Sequence, residues 1–111
     1  MPARRPTPVG AHIFTAGGLA RSGLAYAREI GAEAVQVFVS NPRGWHPAPG
    51  DRAQDAAFVA GCGESAMPVF VHSPYLVNFA SPSTATVEAS VAATRHALRR
   101  GRAICARGVV A

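Results

Sequence analysis

Lysine is absent from this 111-residue chain, and all eleven of its basic residues are arginine. Six acidic residues leave a formal net charge of +5, which favours anionic partners such as nucleic acid without selecting one. Arginine keeps its charge and offers a planar fork suited to phosphate, although a lysine-free composition is equally what a biased genome produces. Cysteine is nearly missing too. Cys62 and Cys105 lie far apart with no Cys-x-x-Cys spacing, which excludes a zinc ribbon and a disulfide framework and leaves two buried free thiols as the expectation. No apolar run precedes the first strand-like segment, so neither a signal peptide nor a membrane span is expected, and a cytoplasmic protein follows. There is no internal repeat beyond an alternation of short elements and no low-complexity tract. What is present, 49% hydrophobic and 15% charged residues, describes one core-forming unit rather than a disordered chain.

Residues 1–8 are rich in proline and arginine and read as a flexible leader, with a single domain over 9–111. The first strand starts at Pro8 or Val9 and runs into His12. A helix over Leu19–Ile30 follows, with Leu19, Leu24, Ala27 and Ile30 near one face and Gly31 as its stop. The run Ala34 to Val39 does not alternate cleanly, as expected of a parallel strand covered on both faces. A proline- and glycine-rich loop, 41–50, leads to a helix over Asp51–Cys62 with Asp51 or Gly50 as N-cap. The third strand, Met67 to His72, precedes the longest helix, 83–106, capped by Ser81 or Ser83. In it Val87, Val91, Leu98 and Cys105 form the stripe expected to pack on the sheet, while Arg95, Arg99, Arg100 and Arg102 stay in solvent. Val109 opens a fourth strand. The order β-α-β-α-β-α-β implies a parallel sheet with right-handed crossovers.

Three strand-like runs end in polar or aromatic residues: His12 after the first, Ser40-Asn41-Pro42-Arg43-Gly44-Trp45 after the second, and His72-Ser73-Pro74-Tyr75-Leu76-Val77-Asn78-Phe79-Ala80 after the third. A histidine where a buried strand surfaces, with an aromatic ring three residues on, puts a metal ligand and a substrate-facing ring at one mouth of a sheet. Taken singly, each residue has a plainer reading. A lone histidine at a strand end is more often a satisfied core or surface residue, Arg43 an ordinary loop arginine, and Tyr75 an aromatic closing an edge. His46 and His96 read as solvent-facing, and the arginines from Arg95 to Arg107 as the wet outer face of a helix.

These segments, together with Gly10-Ala11-His12-Ile13-Phe14-Thr15-Ala16-Gly17-Gly18-Leu19, resemble the amino-terminal part of endonuclease IV, also called deoxyribonuclease IV or AP endonuclease family 2. The resemblance implies an α/β fold, the (β/α)8 TIM barrel, of which this chain would hold the first three βα units and the start of a fourth strand. Three units take up about 100 residues here, whereas a closed barrel needs roughly 250. It further implies a zinc-dependent apurinic/apyrimidinic endonuclease that cleaves 5′ to abasic sites in duplex DNA during base-excision repair, monomeric when complete. By the same resemblance His72 would ligate one Zn2+ of a three-metal cluster, while Arg43 and Tyr75 reach into the damaged duplex and Leu76 helps wedge its bases apart. His12 would stand behind the metals or near phosphate. Asn41, Trp45 and Asn78 would hold the loops. Phe14 and Gly44 depart from the family pattern, where smaller or longer polar residues are usual.

The chemistry accounts for these residue types. In an enzyme of the kind the resemblance implies, zinc would supply a hydroxide nucleophile and stabilise charge at the phosphodiester, and imidazole such as that of His72 suits zinc. Turning the damaged nucleotide out costs a few kcal/mol, least where a base is missing. The remaining carboxylates and histidines of such a cluster come from later strands, so the fragment itself is expected to be inactive. Two other readings stand beside this one: a sugar isomerase or epimerase of the same barrel superfamily, and a non-catalytic remnant.

Overall fold

The computed structural model describes residues 6–111. Most of the leader expected over 1–8 lies outside the described residues, and residues 6–8 are exposed and without regular structure. Strands β1 (Ala11–His12), β2 (Val35–Val37), β3 (Val69–His72) and β4 (Gly108–Val110) form one sheet in the order β1-β2-β3-β4. Every neighbouring pair is parallel, with Ala11 beside Val35, Val35 beside Val69, and Phe70 beside Gly108. A parallel sheet whose strands add in sequence order, each pair bridged by a helical crossover, is the wall of a β/α barrel.

Successive side chains on a strand point to opposite faces, and the two faces of this sheet are unequal. Val35, Val37, Val69 and Val71 are buried, whereas Gln36, Phe70 and His72 between them are only half-buried. The buried face packs with Ile13, Leu24, Ala27, Phe58, Cys62, Ala97 and Ile104 into the core. The strand expected to be covered on both faces is thus closed on one, and the other face is where the histidines lie.

The first helical segment departs from expectation. Leu19–Leu24 is π-helical and becomes α1 only over Ala25–Glu29. The cause lies in helix α2 (Arg52–Glu64), whose Gln54 Oε1 accepts from the backbone N–H groups of Ala20 at 3.0 Å and Arg21 at 2.9 Å. First-turn donors of a helix have no partner of their own, so a side chain from the neighbouring helix supplies one and fixes the turn. Gly18, at φ 119°, permits that approach, because a Cβ there would strike the Gln54 amide. The helix ends where Gly31 takes φ 70°. Leu24 and Ala27 are buried, but Ile30 is 44% exposed.

Helix α2 begins as expected on Asp51, whose carboxylate accepts from Ala53 and Gln54 N–H at 2.9 and 3.1 Å. Helix α3 (Thr84–Ala103) is capped by Ser83, which accepts from Thr86 N–H. Its buried face corrects the expected stripe. Ser90, Ala97, Gly101 and the following Ile104 face inward, while Val91 is 38% exposed, Leu98 54%, and Cys105 also lies outside. The true stripe sits one residue earlier than the apolar one, a rotation of about 100°. Small residues let α3 approach β3 and β4 closely: a Cβ on Gly101 would already touch Val71.

Arg100 is the second correction. Expected in solvent, it is 8% exposed and forms a two-pronged bond with Asp55 of α2, each arm 2.7 Å long. Gly50, at φ 82°, lies flat against its guanidinium, where any side chain would collide. The Asp55 hydrogen bonds push the Arg100 pKa further up and outweigh burial, which pulls the other way. His96, also expected outside, is half-buried with Nε2 sealed and unpartnered.

Candidate metal and nucleic-acid site

The half-open face of the sheet ends in four rings packed edge to face or tilted. His12 at the end of β1 lies 4.5 Å from Phe38, measured between ring centroids, and Phe38 lies 5.2 Å from both His72 and Tyr75. His72 is 6.0 Å from Tyr75 and 6.3 Å from His12. Phe38 and His72 each pair with all three other rings, Phe38 more closely. The place of Phe38 followed from strand period alone, since residues 36, 38 and the register partners of 36 share one face, but its aromatic character reads first as core.

The two histidines are held in different ways. His72 Nδ1 bonds to the Ser73 carbonyl oxygen at 2.5 Å, and because a carbonyl only accepts, Nδ1 carries the proton. The Nε2 lone pair is then free, and a ligating histidine is commonly oriented in just this way by a carbonyl on its other nitrogen. His12 Nδ1 instead faces Gln36 Nε2 at 3.0 Å. Burial, helped by electrostatic repulsion from His72, pulls the His12 pKa below its ordinary value.

Loop geometry brings the second and third strand ends together. The Asn41 side chain accepts from the Arg43 N–H at 3.0 Å, and the Asn41 carbonyl accepts from the Gly44 N–H, closing a tight turn that presents Arg43 to solvent. Tyr75 N–H donates to the Pro42 carbonyl at 2.8 Å, which ties the tyrosine loop to the residue just before Arg43. Tyr75 is 63% exposed and Leu76 38%. Asn78 holds the loop: its N–H donates to Ser90 Oγ and its side chain accepts from Ala80 N–H. Trp45 stands exposed beyond the Arg43 turn, and Phe14 stands exposed after β1.

A cavity of about 750 Å³ opens among these loops, lined by His12, Phe38, Arg43 and Tyr75 from the strand ends and also by Asp55 and Arg100. His72 does not line it and adjoins it through Phe38 and Tyr75. Of the residues singled out at the three strand ends, His12, Asn41, Arg43 and Tyr75 border this cavity, whereas Trp45, Leu76 and Asn78 do not; His46 is exposed in the following loop and takes no part. Gln36 was missed, and the signal was its polarity in the middle of a valine strand. Among the described residues no three His, Cys, Asp or Glu side chains come together as a metal would require. His72 fits zinc as one ligand, not as a site.

Comparison with known proteins agrees with this arrangement. Residues 24–110 match the family described as xylose isomerase-like TIM barrel. A "Probable endonuclease 4" of Streptomyces coelicolor is 59% identical over 103 residues, 93% of this chain and 35% of that protein. One from Streptomyces avermitilis is 58% identical over 93% of this chain and 33% of its own length. The crystal structure of endonuclease IV from Thermus thermophilus superposes with a TM-score of 0.82 at 29% identity, covering 93% of this chain and 39% of that one. The chain thus spans about a third of the curated relatives it matches. With a parallel wall of strands in sequence order and the match over residues 24–110, the chain belongs to the xylose isomerase-like TIM barrel family, in the part that resembles endonuclease 4.

Proposed function

We propose that this chain is the amino-terminal wall of a zinc-dependent apurinic/apyrimidinic endonuclease acting on damaged duplex DNA in base-excision repair, in the cytoplasm, as a monomer when the barrel is complete. One observation carries the reading: the hydrogen bond from Tyr75 to Pro42 sets a projecting ring beside Arg43, next to a histidine whose free nitrogen is already oriented. An enzyme for a small polyol has no use for an arginine and a tyrosine standing out from its rim. Relatives named endonuclease 4 at 58 and 59% identity support the same choice.

In this reading Tyr75 stacks in the space left by a missing base, Leu76 wedges beside it, and Arg43 pairs with phosphate or a base edge. Asn41 and Asn78 hold the two loops in place, and His12 faces the phosphate. Zinc, when bound, would supply a hydroxide nucleophile and charge stabilisation at the phosphodiester. His72 would contribute one ligand to it, and the other ligands of a three-metal cluster would come from outside these 111 residues. The chain alone is accordingly expected to bind without cleaving.

The test is binding of the 111-residue chain to a duplex with one abasic site and to the same duplex intact. A preference for the abasic duplex that falls at least tenfold in the Arg43→Ala plus Tyr75→Ala variant is the expected result, since stacking on one base is worth about 1–3 kcal/mol. Equal affinity for both duplexes, or a double variant that binds as the parent does, would count against it. Stoichiometric zinc binding with nicking by the chain alone would refute the expected lack of activity.

A further inference from the structure

We infer that Gln36 is a positioning residue that holds His12 with its proton on Nε2, so that His12 offers a hydrogen-bond donor to a phosphodiester oxygen and is not a metal ligand. The inference rests on the nuclease reading for its substrate class, and it goes further in separating the two histidines by role. Three observations support it. Gln36 and His12 are register partners on adjacent strands, so their side chains lie side by side on the open face. The Gln36 amide nitrogen, which only donates, sits 3.0 Å from His12 Nδ1, and a neutral imidazole accepting at Nδ1 carries its hydrogen at Nε2. The Nε2 atom is not among the buried unpartnered atoms of the chain, and His12 lines the cavity that Arg43 and Tyr75 border.

His72 is the counterpart. The Ser73 carbonyl fixes its proton on Nδ1 and leaves Nε2 a lone pair. Two histidines 6.3 Å apart thus present opposite chemistry: one accepts or ligates and the other donates. A phosphodiester anion needs donors, and a hydrogen bond to a charged partner is the stronger kind. A metal needs the lone pair. A carboxylate at position 36 would reverse the first of these, because it would accept from Nδ1–H and move the lone pair to Nε2.

Long-range proton–nitrogen correlation NMR of the histidine rings, recorded on the metal-free 111-residue chain near pH 7.5, reads both tautomers directly. His72 is expected protonated on Nδ1 and His12 on Nε2; His12 protonated on Nδ1 would overturn the assignment. Adding dimethyl phosphate, a phosphodiester with no base or sugar, is expected to shift the His12 Nε2–H signal while the His46 and His96 signals stay in place. A His12 signal that does not move at saturation overturns the donor role. Gln36→Glu is expected to invert the His12 tautomer and abolish the phosphodiester-dependent shift with His72 unchanged, the His72 signal reporting that the rim is intact; a variant that keeps the parental tautomer overturns the positioning role. None of these readouts uses duplex DNA, so failure here and failure of abasic-site binding are separable.

Discussion

The rim at the strand ends and the seam between α2 and α3 both hold polar groups away from bulk water, but they leave those groups in different states. At the rim each histidine spends one ring nitrogen on the protein, His72 on Ser73 and His12 on Gln36, and neither second nitrogen is sealed. At the seam Arg100 and Asp55 spend both arms on each other, and the donor left over, Arg100 Nε, is buried without a partner. An open valence in a half-buried group is what a ligand needs. A closed pair fixes where two helices meet. Burial of polar residues alone does not separate a site from a structural device, whereas the accessibility of the atom left over does.

Breaking the seam is the most costly way to test that contrast. Asp55→Ala leaves the Arg100 guanidinium buried without its anion, and removing one partner of such a pair costs about 3–5 kcal/mol. Urea unfolding monitored by circular dichroism should show a correspondingly lower midpoint. The double change Asp55→Leu with Arg100→Met removes both charges and should recover most of that loss, since well-packed apolar replacements of buried pairs are often neutral or better. A double variant as unstable as the single one would mean that Arg100 acts through Gly50 and the loop rather than through Asp55.

Gln54→Leu comes next. It strips the acceptor from two backbone donors, Ala20 and Arg21, and an unsatisfied donor costs about 1–3 kcal/mol where water cannot replace the partner. Ala20 is half-buried and Arg21 exposed, so a loss near the lower end, about 1–2 kcal/mol, is expected. Hydrogen exchange should speed up over residues 18–24 and not in α3. Asp51→Ala, which removes an exposed N-cap, should cost about 1 kcal/mol and fray the start of α2 only. If exchange in all three regions rose together, seam and rim would form one cooperative unit, and the distinction drawn between them would be one of chemistry alone.

The rim was legible in the sequence because its rules are local. A strand of period two fixes which residues share a face, and a proline or an Asx turn fixes where the chain leaves it, so His12, Arg43, His72 and Tyr75 could be set at one mouth without knowing the packing. The parallel sheet followed from the same kind of rule, which also narrowed each major N-cap to two residues, Asp51 or Gly50 and Ser81 or Ser83, of which Asp51 and Ser83 make the cap. The face of α3 was not legible. Its buried side is set by how closely α3 must approach Val71 and by the cation that Asp55 needs on a different helix, and neither distance is written in the periodicity of Val91, Leu98 and Cys105. Gln36 was hidden for a related reason: a polar residue within a buried strand signals a partner, but only the register names His12 as that partner. The π-helical turn at Leu19–Leu24 depends on Gln54, 34 residues away from Ala20.

Leu98 gives the smallest expected effect and sharpens the comparison most. It is 54% exposed, in the stripe that sequence periodicity assigned to the core, while Arg100 two positions on is the buried residue. If the rotation of α3 is as described, Leu98→Ser removes little buried area and should change stability by no more than about 0.5 kcal/mol, as for other surface substitutions away from special features. Arg100→Ser in the same assay should cost several times as much, since it strands Asp55. The reverse order, a large loss at 98 and a small one at 100, would turn the helix by one residue and restore the apolar stripe to the sheet. Repeating the Leu98→Ser measurement across a hundredfold range of protein concentration separates the remaining case: a loss that appears only at high concentration belongs to a face covered by a second copy of the chain and not to the fold.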